Sequence, residues 1–306
     1  MLRKLGLLVL TITTVNLFGQ VLSPEQLNSR PDIRKRIYKD DFIDYDENRA
    51  IDSMFFYQQR KYVPYPPIRE ADVLWSKQIW REIEVGEKIN LPLYYPINPI
   101  QDRKSLYDII VEAYRDTLIQ PFEGRQDYNN GEFKEALTIN YCDSNCFGVK
   151  YSEDSLDSDG NATGVIKDRF TPFAAEDVVR YRLKEYWYFD KQRSQLMVKI
   201  IGIMPIVQYE DPTTKEMKTT ATAWFYFPEL RGVIANKEVY NRKNETVRLT
   251  FDDVFIKRYF SSHVIKEDNV FDRTLAQAGY KGFDQLVEAD RVKETIFNFE
   301  HDLWDY

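Results

Sequence analysis

Lys184-Glu185-Tyr186-Trp187-Tyr188-Phe189-Asp190 holds four consecutive aromatic residues, and the polar turn Lys191 to Ser194 follows it directly. Gln195 to Gln208 is rich in Val and Ile, with Pro205 near its end. A second turn, Glu210 to Lys215, contains Asp211-Pro212, and Thr219 to Phe227 then returns through Trp224, Phe225, Tyr226 and Phe227. β-branched and aromatic runs joined by short polar turns predict an antiparallel β-meander over about 184–228. Pro205, lacking an N–H, is expected to break or end the middle strand.

Working outward, helical signals flank the meander, which makes the expected fold class α+β. Trp75, Ile79 and Ile83 fall at helical spacing, with Leu74 and Trp80 beside them, so ordered structure is expected to begin near Arg69 as a helix. Ser105 with Asp108 three residues on reads as a helix start. Leu106, Ile109, Ile110, Ala113 and Tyr114 then form one apolar stripe, and Pro121 is the expected stop. Thr250 with Asp253 repeats the capping pattern. A long helix is expected from about Asp284 to Trp304. Its narrow seam of Ala289, Val292, Ile296, Phe299 and Leu303 suits packing against one other helix, of this chain or of another subunit.

The first residues carry a separate signal. Arg3 and Lys4 precede an apolar run from Leu5 to Val15, and Gly19 offers a small residue for cleavage. That layout reads as a secretory signal peptide over 1–19, too short to span a bilayer and without a cysteine for lipid anchoring. Residues 20–68 read as an extended arm, aromatic throughout and closed by Pro64-Tyr65-Pro66-Pro67. Such a segment can lie on a neighbouring protein or on its own domain. Residues 69–306 then form a single α+β domain. The net charge of −7 without a basic cluster argues against nucleic acid and anionic lipid as partners.

Cys142 and Cys146 are the only cysteines. In an oxidising compartment they read as a local disulfide, with free or intermolecular thiols as the other reading. Residues near 152–166 read as an exposed acidic loop. Asp157, Asp159 and Gly160 match part of a calcium loop, but Ser155 and Ile166 occupy its first and last ligand positions, so no metal is expected. There is no phosphate loop, His-Glu-x-x-His pair or nucleophile elbow. His263 after Ser261 and Ser262, and His301 between Glu300 and Asp302, read as structural or surface groups. The expectation is a protein with no catalytic residues, cofactor or metal.

Four strings go further: Asp72-Val73-Leu74-Trp75-Ser76-Lys77, Ser105-Leu106-Tyr107-Asp108, Tyr181 to Lys191, and Phe299-Glu300-His301-Asp302-Leu303-Trp304. In this order, from about Arg69 to the C-terminus, they resemble the gliding-motility GldN family, whose counterpart in non-gliding secretors is called PorN. The resemblance implies a periplasmic, non-catalytic subunit of the type IX secretion machinery in a Bacteroidota cell. It implies a ring shared with a GldK/PorK-type outer-membrane lipoprotein, contact with the GldL/GldM (PorL/PorM) motor, self-association within the ring and no direct membrane insertion. Tyr57, Tyr62, Tyr65, Pro66 and Pro67 on the arm, and Ile296, Phe299 and Leu303 on the last helix, are the candidate partner interface. The implied host also glycosylates Asp-Ser/Thr-apolar triplets. Of Asp52-Ser53-Met54, Asp116-Thr117-Leu118 and Asp154-Ser155-Leu156, Ser155 is the preferred site. A stand-alone binding module for peptidoglycan or secreted cargo, and a periplasmic hydrolase, are the competing readings.

Overall fold

The computed structural model describes residues 61–100, 103–124, 131–156, 162–212, 214–240 and 249–302, with backbone alone over 153–156 and 162–167. The signal peptide, the arm before Lys61, Tyr57, Leu303 and the Ser155 side chain therefore lie outside the described residues.

The meander is present and forms the centre of a larger antiparallel sheet. β5 (Val178–Asp190) turns at Lys191–Ser194 into β6 (Gln195–Glu210). The Asp190 carboxylate holds that turn by accepting from the backbone N–H of Gln192 at 2.9 Å. β7 (Met217–Ala221) and β8 (Ala223–Tyr226) both return along β6. Pro205 does not end β6, contrary to expectation; the break falls in the partner. β8 pairs with Gly202 and Ile203, β7 pairs from Ile206 onward, and Thr222 between them donates both its N–H and its Oγ1 hydroxyl to the Pro205 carbonyl, at 3.1 and 2.9 Å. Proline lacks a donor but keeps its acceptor, and the strand needs only the acceptor here.

The helix expected from Arg69 is instead the strand β1 (Val73–Glu84), paired antiparallel with β5 along its length. Trp75, Ile79 and Ile83 are spaced by four, and a spacing of four repeats on one face of a strand as well as of a helix. A long-range partner decided between the two. With β2 (Pro121–Glu123) and β11 (His263–Glu267), the sheet has seven strands in the order β11-β1-β5-β6-β8-β2, and β7 also pairs with β6. Pro121 thus opens an edge strand rather than stopping a helix.

The acidic stretch expected as a loop over 152–166 belongs largely to a separate hairpin of β3 (Gly148–Leu156) and β4 (Ala162–Pro172). Only residues 157–161 between the strands lie outside the described residues. Polar strands form such a ladder because it needs no buried face; Ser152 Oγ donates across it to Asp168 at 2.8 Å. Two short strands, β9 (Glu238–Val239) and β10 (Leu249–Thr250), pair with each other.

Helices cover one face of the large sheet. After the single turn α1 (Leu91–Tyr94), α2 (Leu106–Arg115) is capped as expected, Ser105 Oγ accepting from the Asp108 N–H at 3.1 Å. α3 (Ile139–Tyr141) runs into a wide turn over Cys142–Cys146. α4 (Phe227–Ile234) and α5 (Phe251–Ile256) follow, the latter opened by the Thr250/Asp253 capping box. Leu106, Ile110, Tyr114, Phe225, Leu230 and Phe255 join the core between these helices and the sheet. α6 (Phe283–Asp302) packs beside them, with Ala289, Val292 and Ile296 against Ile79, Val264 and Leu275. The seam predicted for α6 is real, but its partner is this chain's own sheet rather than another helix.

Just past the C-cap of α2, Thr117 adopts a φ of +61°, while the Leu118 N–H reaches back to the Ala113 carbonyl at 2.9 Å. This is a left-handed helix end that favours glycine and disfavours a β-branched residue. Thr117 is exposed. Thr117→Gly should stabilise the domain by about 1 kcal/mol, read as a higher denaturant midpoint. An unchanged or lower midpoint would contradict this geometry.

Candidate functional site

Among the described residues, three clusters gather buried charged side chains. The first surrounds Arg231 on α4, whose side chain is 1 % exposed. Its guanidinium holds Asp252 with both prongs, at 2.7 and 3.2 Å, and donates to the Val63 carbonyl at 2.5 Å. The rings of Tyr62 and Tyr65 lie over the same guanidinium, each centroid 4.7 Å away. Tyr65 Oη also accepts from the Ile200 N–H at 3.2 Å. Burial pushes the Tyr65 phenol up to about 12, against the opposing pull of Arg231. The end of the arm is thus fastened to its own domain.

The second cluster centres on Glu82 of β1, 3 % exposed. Arg182 of β5 donates twice to Oε1, at 3.0 and 2.5 Å, and Arg180 donates to Oε2 at 3.2 Å. His263 Nε2 stands 3.9 Å from Oε2. Burial acts to raise the Glu82 carboxyl, but the guanidinium of Arg182 and then Arg180 outweigh it and hold it below the ordinary range. Glu82, Glu84 and His263 approach closely enough to share a cation. Two guanidiniums already occupy the Glu82 carboxylate, and Arg180 also reaches Glu84 at 3.7 Å, so the donor set is that of an ion-pair network. Ser262 Oγ accepts from Arg81 Nε at 2.9 Å, which ties that hydroxyl to an arginine beside His263. His301 lies exposed on the last turn of α6.

In the third cluster, the buried Glu185 lies 2.9 Å from Arg258 Nη1 and accepts from Trp187 Nε1 at 2.9 Å. Near α2, Asp143 accepts from the Tyr114 hydroxyl at 2.5 Å and from Arg115 Nε at 3.0 Å. That bond fixes the turn carrying the cysteines. Cys142 and Cys146 are both buried and stand as free thiols in this structure. A hydrogen bond to Cys146, and then burial, push the Cys142 thiol up, away from thiolate chemistry.

The candidate partner interface is redistributed by these contacts. Tyr62 and Tyr65 flank Arg231, Ile296 is 5 % exposed beneath α6, and Phe299 stacks on Trp75 at 4.9 Å. Pro66 is half-buried and Pro67 is exposed. Other apolar side chains, not singled out by sequence, face solvent instead: Phe271, Phe283, Leu286 and Phe297, on α6 and the loop before it. Phe297 directly follows the buried Ile296, so the stripe's neighbouring position was the available signal. Among the described residues no helix is long and apolar enough to cross a membrane.

These sites define an α+β domain whose buried charges are engaged with one another and whose last helix presents apolar side chains outward. The chain belongs to the GldN family: the family described as "Gliding motility associated protein GldN" matches residues 68–305. It is a component of the gliding-motility and type IX secretion apparatus, from a family not known for enzymatic activity. No curated protein matches the chain.

Proposed function

We propose that this chain is a non-catalytic structural subunit of a periplasmic ring, assembled with a GldK/PorK-type outer-membrane lipoprotein and in contact with a GldL/GldM-type motor. Membership of the family supports the machinery. The observation that carries the structural role is the outward apolar set on the last helix and its approach, with Phe271 72 %, Phe283 78 % and Phe297 64 % exposed. Aromatic side chains left in water at this density mark a protein contact. A ring needs two different faces per subunit, so that each contact leads to the next copy. Charged clusters such as Glu82–Arg182 serve to hold the fold.

Co-purification from cells expressing the mature chain with its cognate lipoprotein tests this reading. Phe283→Glu with Phe297→Glu should lower the recovered lipoprotein at least about tenfold, since central interface aromatics are each worth about 2 kcal/mol or more. Thermal unfolding of the variant should match the parent. Undiminished recovery would move the contact elsewhere, and failure of the parent to recover lipoprotein would remove the ring role.

A further inference from the structure

α6 packs on the sheet through one side, and its outward side carries a regular pattern. A helix turns about 100° per residue, so residues seven apart point in nearly the same direction. Phe283, Asp290 and Phe297 are seven apart. They fall on one stripe, roughly 130° around the helix from the Ala289, Val292 and Ile296 that face the sheet. Leu286 and Glu294 flank the same stripe. Phe283, Leu286 and Phe297 are 78, 50 and 64 % exposed, and the Asp290 side chain is 74 % exposed. The stripe is therefore apolar towards both ends and acidic in the middle. The rest of α6 reinforces that charge, with Asp284, Glu288, Glu300 and Asp302 against Arg291 and Lys293. Both of these bases are held within the helix, Arg291 by Glu288 at 3.1 Å and Lys293 by Asp290 at 2.9 Å. Lys293 thus offsets only one of the two central carboxylates.

We propose that this stripe seats a helix of a partner protein, one with apolar side chains about two heptads apart and a lysine or arginine between them. The proposal rests on the reading that the outward apolar set of α6 is a protein contact, and adds what that contact accepts. Spacing is the first argument. Phe283 and Phe297 lie fourteen residues apart, which is about 21 Å along a straight helix. A second helix laid beside α6 repeats its own side chains at the same seven-residue interval, so both rings meet an apolar residue at once. Charge is the second argument. Covering the rings takes water from Asp290 and Glu294 between them, and a basic side chain midway along the partner supplies the missing counter-charge. The same charges select against other occupants. In an antiparallel pair of two α6 helices, Phe283 of each copy meets Phe297 of the other, but the two-fold axis sets Asp290 against Asp290. A parallel pair opposes the same two carboxylates. Like charges at the centre of a contact are a strong penalty, so a second copy of α6 is disfavoured. An anionic lipid surface is repelled for the same reason.

Photo-cross-linking of the full chain in its host cell tests this. Benzoylphenylalanine replaces Phe283 in one protein and Phe297 in another, both exposed sites, and the cross-linked peptides are sequenced by mass spectrometry. The expected result is that both positions reach one segment of one partner, at sites about 14 residues apart with lysine or arginine midway, the separation a helix gives over that length. Sites about 6 residues apart would mean an extended strand and would overturn the proposal. Cross-links to a second copy of α6, to lipid, or to a segment with no basic residue between the sites would also overturn it, as would the absence of any cross-link. The charge is tested with Glu294→Lys, which should cut the cross-link yield at position 297 at least about fivefold. Asp302→Lys, the same change of charge off the stripe, should leave the yield within about twofold. Equal losses from the two substitutions would overturn the role given to the acidic centre. The two readings fail separately. A basic helix found in a protein unrelated to the ring would support this inference and remove the ring role, whereas normal rings with a strand at these positions would do the reverse.

Discussion

Replacing Arg231 with alanine should lower the folding free energy by about 3–5 kcal/mol, the cost of leaving one partner of a buried ion pair alone. Three attachments converge on that one guanidinium. It neutralises Asp252 on α5, binds the Val63 carbonyl and lies against Tyr62 and Tyr65. Loss of the side chain would strand the Asp252 carboxylate, 11 % exposed, and release the end of the arm. Arg231→Lys should recover little, because an ammonium cannot make the two-pronged bond or stack flat between two rings. The double change Arg231→Leu with Asp252→Leu should recover most of the loss, since it removes both charges together. Urea unfolding of the four proteins measures this. A loss below about 1 kcal/mol for Arg231→Ala, the scale of an exposed pair, would contradict the burial described.

The second large effect is a dependence on acid carried by Glu82. Its carboxyl is held below its unfolded value, so its contribution is fully present above the unfolded pKa of about 4.3. It is lost as pH falls through the lower folded value. At neutral pH, Glu82→Gln should cost about 3–5 kcal/mol, because Arg182 would be left buried without its counter-charge. Below the folded pKa of Glu82 the wild type carries a neutral carboxyl there too, and the gap between the two proteins should shrink. Glu84 works in the opposite direction: burial raises its carboxyl despite Arg180 and His263, so it favours the folded state at lower pH. The Glu82 charge also helps to raise Glu84, so comparing the two proteins cancels the part of the Glu84 effect that burial sets. Stability measured by denaturant at steps from pH 7 to pH 3 decides the matter. A gap that stays constant over that range would mean that Glu82 contributes shape and not charge.

Local chemistry made part of this fold legible. Ser105 with Asp108 and Thr250 with Asp253 were readable as helix starts because a cap and its N–H lie three residues apart. The aromatic run at Tyr186 to Phe189 was readable as a strand because little else accommodates such a sequence. What escaped was long-range. The apolar spacing of β1 fits a helix as well as a strand, and only its pairing with β5 separates the two. The clusters that fasten the fold join residues far apart: 21 positions separate Arg231 from Asp252, and 100 separate Arg182 from Glu82. No spacing rule reaches across those gaps. Tyr62 and Tyr65 were recognisable as rings that would pack, but not as the two plates around a buried guanidinium. The seam of α6 was legible, and its outward neighbours Phe283 and Phe297 were not, since exposure depends on where the sheet lies.

The family's description associates the chain with gliding motility, and the central claim is that the chain acts as a building block of that apparatus. Negative-stain electron microscopy of the mature chain co-purified with its GldK/PorK-type lipoprotein tests that claim most directly. The account expects closed rings that contain both proteins. A compact, single-copy particle that purifies without the lipoprotein would contradict it.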